Sequence, residues 1–98
     1  MFKLLVTPKA ESDLTKIWLY TCEKWGVDQA DRYLDQLEAG AHQLINHPSL
    51  GTNYAHVLPE YRRLLVEHHA IFYKVLKQEI CIIRVLHEDM DASQRLLG

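Results

Sequence analysis

Three adjoining segments, YRRLLVEH (residues 61–68), AIFYKVLK (70–77) and EICIIRVLH (79–87), decide the fold. They are rich in β-branched, leucine and aromatic side chains, which suit a pleated, half-buried surface. The gaps between them are too short for a crossover, so the segments form an antiparallel meander. Strict alternation predicts two faces. Leu64, Val66, Ile71, Tyr73, Val75, Cys81, Ile83 and Val85 fall on one. Arg63, Leu65, Phe72, Lys74, Leu76, Ile80, Ile82, Arg84 and Leu86 fall on the other.

The first face is expected to cover helices. The second should then be the outer, water-facing side, which is normally polar. Here six of its nine positions are apolar, with Arg63, Lys74 and Arg84 among them. Two explanations stand open. The first strand or the tail shields part of this side, or it is a docking surface for a partner with apolar anchors and negative charge. The tail from Glu88 to Gly98 is too short to cover it all, which keeps the docking explanation open.

Upstream, the apolar period changes to three and four. Thr7-Pro8 reads as a helix start, because Thr caps free N–H groups and Pro at the first helical position loses no hydrogen bond. Ala10, Leu14, Ile17, Trp18, Thr21 and Trp25 then form one stripe, with both tryptophans expected in the core. Gly26 ends this helix. Asp28 opens a second, striped by Ala30, Tyr33, Leu34, Leu37, Ala41, Leu44 and Ile45 and stopped at Asn46-His47-Pro48. A link as short as Gly26 to Asp28 makes the pair an antiparallel hairpin. Phe2 to Val6 reads as a first strand, and the stretch from Asn46 to Pro59 as a long binding or mobile loop. The expected fold is therefore α+β: an N-terminal strand and a helical hairpin packed on a three- to four-stranded antiparallel sheet, one domain over residues 1–98.

Composition narrows the function. There are 11 Lys+Arg against 13 Asp+Glu, a formal charge of -2. A chain that coats nucleic acid usually carries a clear positive excess, so generic nucleic-acid binding is not expected. Cys22 and Cys81 are too far apart for a CxxC site and read as small buried hydrophobes, with a disulfide as the alternative. No apolar run is long enough to span a membrane, and the N-terminus lacks a signal-peptide pattern, so a cytoplasmic location is expected.

Chemistry-bearing motifs are sparse. The four glycines are isolated, so no phosphate loop forms, and no serine has a nucleophile context. Six histidines occur without HExxH or converging spacing, so neither a metal nor a cofactor is expected. Ribonuclease chemistry would need a base, an acid and cations, for which His68 or His87 with Arg63 and Arg84 are the candidates. Arg62 should face inward and pair with Glu38, Asp35 or Glu11, since a buried cation needs a partner.

Six segments in order carry a resemblance to a known family. Thr7-Pro8-Lys9-Ala10-Glu11-Ser12-Asp13-Leu14 with Ile17-Trp18, and Trp25-Gly26-Val27-Asp28-Gln29-Ala30 with Tyr33-Leu34, are the first two. His47-Pro48-Ser49-Leu50-Gly51, Tyr61-Arg62-Arg63-Leu64, Ile71-Phe72-Tyr73-Lys74-Val75 and Ile83-Arg84-Val85-Leu86-His87-Glu88 complete the set. Together they resemble the RelE/ParE superfamily of toxins from type II toxin–antitoxin pairs, in its ParE-like branch. The resemblance implies a toxin that inhibits DNA gyrase by binding it, without catalysis, and a cognate antitoxin that neutralises it. It implies target contacts at Arg63, Arg84, His87, Glu88, Met90 and Asp91. One departure is Asp89, an acidic residue where family members often carry Arg. The alternatives are a RelE-like, ribosome-dependent messenger RNA endonuclease and an inactive homologue acting as a binding module. For the antitoxin, the apolar and cationic outer face suits an acidic amphipathic segment that folds on binding. Leu65, Phe72, Lys74, Leu76, Ile82 and Arg84 are its expected contacts.

Overall fold

The computed structural model describes residues 2–97, so Met1 and Gly98 lie outside the described residues. The first strand, β1 (Lys3–Val6), leads into the helices α1 (Pro8–Trp25) and α2 (Val27–Asn46). Four strands follow: β2 (Thr52–Asn53), β3 (Tyr61–Val66), β4 (His69–Val75) and β5 (Glu79–His87). A short helix, α3 (Ala92–Leu97), comes last.

Local chemistry sets these boundaries. Thr7 Oγ1 accepts the Ala10 N–H at 3.1 Å and donates to the Ile83 carbonyl at 2.8 Å, so one side chain caps α1 and ties it to β5. Gly26 ends α1 and starts α2 by itself. Its φ of 92° lies where a Cβ would be strained, and its N–H bonds to the Cys22 carbonyl at 2.8 Å. The turn is thus one residue, and α2 begins at Val27 rather than at the expected Asp28. Trp18 Nε1 donates to Asp31 Oδ1 at 2.9 Å across the hairpin. Trp25, expected in the core, is 67% exposed as the last residue of α1, beside the Gly26 turn.

The sheet order is β1-β5-β4-β3-β2. Two features extend the expected sheet. β1 pairs parallel to β5, reached only after the whole helical hairpin and meander, so the sheet is mixed. A two-residue strand within the expected loop, Thr52–Asn53, pairs with Arg62 and Arg63. α1 and α2 cover one face, where Ala10, Leu37, Leu44, Ile71, Tyr73 and Ile80 are almost fully buried. Burying each large aliphatic or aromatic side chain contributes roughly 1.5–3 kcal/mol. Gly40 lets α2 lie close against β3, since a Cβ there would meet Val66 Cγ2 at 2.6 Å.

Alternation along β5 breaks at one point. Arg84 lies opposite Phe72, yet Ile82 lies opposite Tyr73, so Ile83 is an extra residue in the strand. Before this bulge, Ile80 and Ile82 face the helices, contrary to the expected outward placement. Cys81, expected on the helix side, shares a ladder position with Lys74 instead. Val75, also expected inside, is exposed where β4 runs out. After the bulge, Val85 faces the helices as alternation predicts.

The outer face is partly sealed by the chain itself. Ala70, Phe72 and Leu86 form a second small core beneath Tyr54, Tyr61, Ala92 and Leu96. Tyr54 meets the Phe72 ring edge-on at 5.2 Å. The tail that looked too short for this does so by forming α3. Arg62 does face inward, but its Nη2 donates to the carbonyls of Ser49 and Gly51, at 3.1 and 2.6 Å, rather than to a carboxylate. Both cysteines are free and half-buried.

Candidate functional site

Most of the expected target contacts gather where β5 ends. β1 pairs with β5 no further than Ile82, and the chain then turns into α1. From Ile83 onward β5 has no strand on that side. Asp13 of α1 fills the gap: its Oδ2 accepts the Val85 N–H at 3.0 Å, a group that β1 would otherwise have bonded. Arg84 Nε and Nη2 grip the same carboxylate at 2.7 and 2.9 Å. Arg84 Nη1 also reaches the Arg95 carbonyl of α3 at 3.2 Å. One guanidinium therefore joins α1, β5 and α3. Its pKa is pushed up, chiefly by the hydrogen bonds to Asp13. Arg84 is thus held in an internal ion pair with both side chains mostly covered.

Two clefts flank this end of the strand. On the outer sheet face, a cleft of about 330 Å³ is lined by Arg63, Tyr54, His56, His87, Glu88 and Met90, among others. Four of the six expected target contacts thus converge there. Between α1 and β5, a second cleft of about 330 Å³ is lined by Lys16, Tyr20, Arg84, His87, Met90 and Arg95, among others. His87 and Met90 border both. Asp91 stands apart from the two clefts: its Oδ1 accepts from Ser93 Oγ at 2.8 Å and its carbonyl receives the Arg95 N–H, at the start of α3.

Histidines crowd the same end of the sheet. Tyr33 Oη of α2 lies 2.6 Å from His69 Nδ1 and accepts the His68 N–H at 3.2 Å. Burial holds the His69 pKa down to about 4, with His87 and His68 adding to the effect. His69 is therefore neutral at pH 7, and its Nδ1 can accept the Tyr33 proton. Burial likewise raises the Tyr33 pKa. The His69 and His87 rings meet edge-to-face at 5.2 Å. His68 Nδ1 pairs with Glu88 Oε2 at 2.8 Å, and the Asp89 N–H donates to His87 Nδ1 at 3.2 Å. Among the described residues, no group of three His, Cys, Asp or Glu side chains could hold a metal ion. No helix among them is long and apolar enough to cross a membrane.

The expected antitoxin contacts divide by exposure. Leu65 and Leu76 are exposed, at 48% and 44%. Lys74 is half-buried, its Nζ 4.8 Å from the centre of the Tyr61 ring. Phe72 and Ile82 are buried, at 1% and 2%, the first under Tyr54 and α3 and the second under the helices. A charge at Phe72 would break a core rather than probe a surface. Sequence reasoning missed Asp13, Lys16, His69 and Arg95. Asp13 had a visible signal: an acidic residue on the same helical side as Ala10 and Ile17, three and four positions away. The remaining three carried no motif.

Comparison with known proteins agrees with this architecture. The family model described as ParE toxin of type II toxin-antitoxin system, parDE, matches residues 4–92. The chain is 36% identical over 95 residues to Toxin ParE1 of Mycobacterium tuberculosis (strain CDC 1551 / Oshkosh), covering 96% of this chain and 97% of the relative. It is 38% identical over 88 residues to Toxin ParE1 of Caulobacter vibrioides, covering 90% and 91%. A solved structure titled "Chromosomal ParDE TA system from P. aeruginosa" superposes with a TM-score of 0.80 at 24% identity, covering 89% of this chain and 96% of that one, and supports the fold. With the match running from β1 into α3 and the relatives covered almost end to end, the chain belongs to the ParE toxin family of type II toxin–antitoxin systems.

Proposed function

We propose that this toxin acts by binding DNA gyrase, without catalysis, and is neutralised by a cognate antitoxin carrying an acidic amphipathic segment. One observation carries the preference for binding. Phosphodiester cleavage needs free cations beside the acid and base to stabilise the charged transition state. Arg84, the cation on His87's own strand, is held by Asp13 through two hydrogen bonds. That leaves Arg63 as the arginine lining the outer cleft with His56, His87 and Glu88, since Lys16 and Arg95 line the other cleft. A surface that binds a large partner has no such requirement.

A supercoiling assay with purified gyrase tests the proposal. Loss of supercoiling at stoichiometric toxin, reversed by the antitoxin, supports it. The competing endonuclease reading has one observation in its favour, the meeting of Arg63, His56, His87 and Glu88 in one cleft. Translating ribosomes incubated with the toxin would then yield mapped messenger RNA cuts, and gyrase would be unaffected. Normal growth on induced expression without the neighbouring gene would favour an inactive binding module.

Leu65, Lys74 and Leu76 are the antitoxin contacts that fit a surface role. Leu5 and Cys81 extend that side, being ladder partners, with Leu5 40% exposed. Replacing Leu65 and Leu76 with Asp is expected to weaken antitoxin pull-down while the domain stays folded. Unchanged capture would place the antitoxin elsewhere.

A further inference from the structure

We infer that the cleft between α1 and the strandless half of β5 is a seat for an extended acidic peptide segment with an apolar anchor. This deepens the binding reading above by giving a partner's segment a place and a chemistry. Three independent features point to that occupant.

The first is charge. Lys16 and Arg95 line the cleft, and among the described residues neither has an ion-pair partner in the structure. Asp13, also in the lining, is neutralised by Arg84. Glu88 lies on the outer cleft instead. Two uncompensated cations thus flank one cleft in a chain whose formal charge is -2. The second is the apolar wall. Ile17, Leu86 and Met90 line the cleft, and Tyr20 at its mouth is 58% exposed, an amphipathic ring suited to an apolar side chain.

The third is the backbone. Asp13 already demonstrates that an acceptor carboxylate satisfies the open side of β5, through the Val85 N–H and Arg84. The Glu88 N–H bonds to the His68 carbonyl across the β4 side. By the two-residue period of a strand, the His87 N–H points with that of Val85, toward the side that lacks a strand. The Val85 N–H and the His87 carbonyl are already bonded, to Asp13 and to the Met90 N–H, so an extended peptide would take the His87 N–H while its carboxylates meet Lys16 and Arg95. A nucleic acid fits less well, because two cations and an aliphatic wall offer little to a phosphate backbone.

The test uses the full chain, isotope-labelled for amide NMR, which detects even millimolar binding. The probe is a blocked octapeptide alternating glutamate and leucine, with one alternating lysine and leucine as control. Saturable shifts are expected at Lys16, Tyr20, Leu86, His87 and Met90 with the acidic peptide alone. The double variant Lys16→Glu, Arg95→Glu keeps the folded spectrum, because Arg84 uses the Arg95 carbonyl rather than its side chain. That variant should lose at least about ten-fold in affinity for the acidic peptide and gain binding of the basic one. Absent shifts, shifts confined to another face, equal binding of both peptides, or tighter binding of oligothymidine at the same residues would each overturn the inference. Peptide binding and gyrase inhibition are read separately, so failure of one leaves the other intact.

Discussion

The two halves of β5 differ in almost every respect. From Glu79 to Ile82 the strand lies between β1 and β4, its ladder is regular, and Ile80 and Ile82 are sealed beneath the helices. From Ile83 to His87 it has one neighbouring strand, opens with a bulge, and has an N–H satisfied by a side chain from α1. The regular half is a hydrophobic core element. The irregular half borders both clefts and carries two of the expected target contacts, Arg84 and His87. A strand without its second neighbour must satisfy its backbone by other means, and here a mostly covered carboxylate from α1 does so between the two clefts.

The sharpest way to break this contrast is to remove Asp13. Asp13→Ala would leave the Arg84 guanidinium unpaired and the Val85 N–H unbonded. The loss of one member of a largely covered ion pair costs about 3–5 kcal/mol. Chemical denaturation should show a midpoint lowered accordingly, with the α3 amides perturbed as Arg84 loses its anchor. Replacing both partners, Asp13→Leu with Arg84→Met, should recover much of the loss, because it removes the desolvated charge along with the bond. If Asp13→Ala proves neutral, the irregular half is not held by this pair.

Next in size is a pair of truncations in neighbouring positions. Ile80→Ala in the regular half removes a fully buried side chain and should cost about 3 kcal/mol. Ile83→Ala, at the half-buried bulge, should cost under about 1.5 kcal/mol. Urea titration of both variants measures the difference between the halves directly. Equal losses would mean that the bulge residue is packed as tightly as the core.

Acid sharpens the contrast further, because the histidines cluster at the irregular end. His69 has a folded pKa of about 4 against roughly 6.5 in an unfolded chain. Between those values the unfolded state binds more protons, so stability is complete above about pH 6.5 and falls as the pH drops toward 4. His69→Phe should flatten the dependence of Tm on pH across that window, at the expense of the Tyr33 hydrogen bond. An unchanged slope would assign acid sensitivity to other groups.

The same boundary separates what could be read from the chain and what could not. Helix starts, the hairpin turn and the meander follow from local chemistry: Thr7-Pro8, Gly26, and β-rich segments with tight links. These interactions span a few residues. The faces of β5 did not follow, because one inserted residue inverts every side chain on one side of it. Nothing in the composition of EICIIRVLH marks Ile83 as the extra residue, since all candidates are apolar. The parallel pairing of β1 with β5 joins residues more than seventy positions apart, and periodicity holds no record of it. Arg84 was legible as a residue of consequence but not as a partner of Asp13, for the same reason of distance. Arg63, His87, Glu88 and Met90 share one cleft, and three of them could be placed together from the sequence because they lie within four residues at a strand end.

The smallest expected effect concerns the cover on the outer face. Leu96 of α3 packs over Ala70, Phe72 and Leu86 but is only partly buried. Leu96→Ser should therefore cost about 1 kcal/mol, well below a full core truncation. Its informative readout is local: amide exchange should accelerate in α3 and stay slow in β4, whose opposite face remains under the helices. Phe72 would then gain exposure without unfolding, and an apolar dye should bind the variant and not the parent. Such binding would mean that α3 and the main core are separable units, so that a partner could reach the small outer core at the cost of undocking six residues. Exchange rising equally in α3 and β4 would mean the opposite, a single cooperative structure in which Arg84 transmits the loss of α3 contacts to α1 through Asp13.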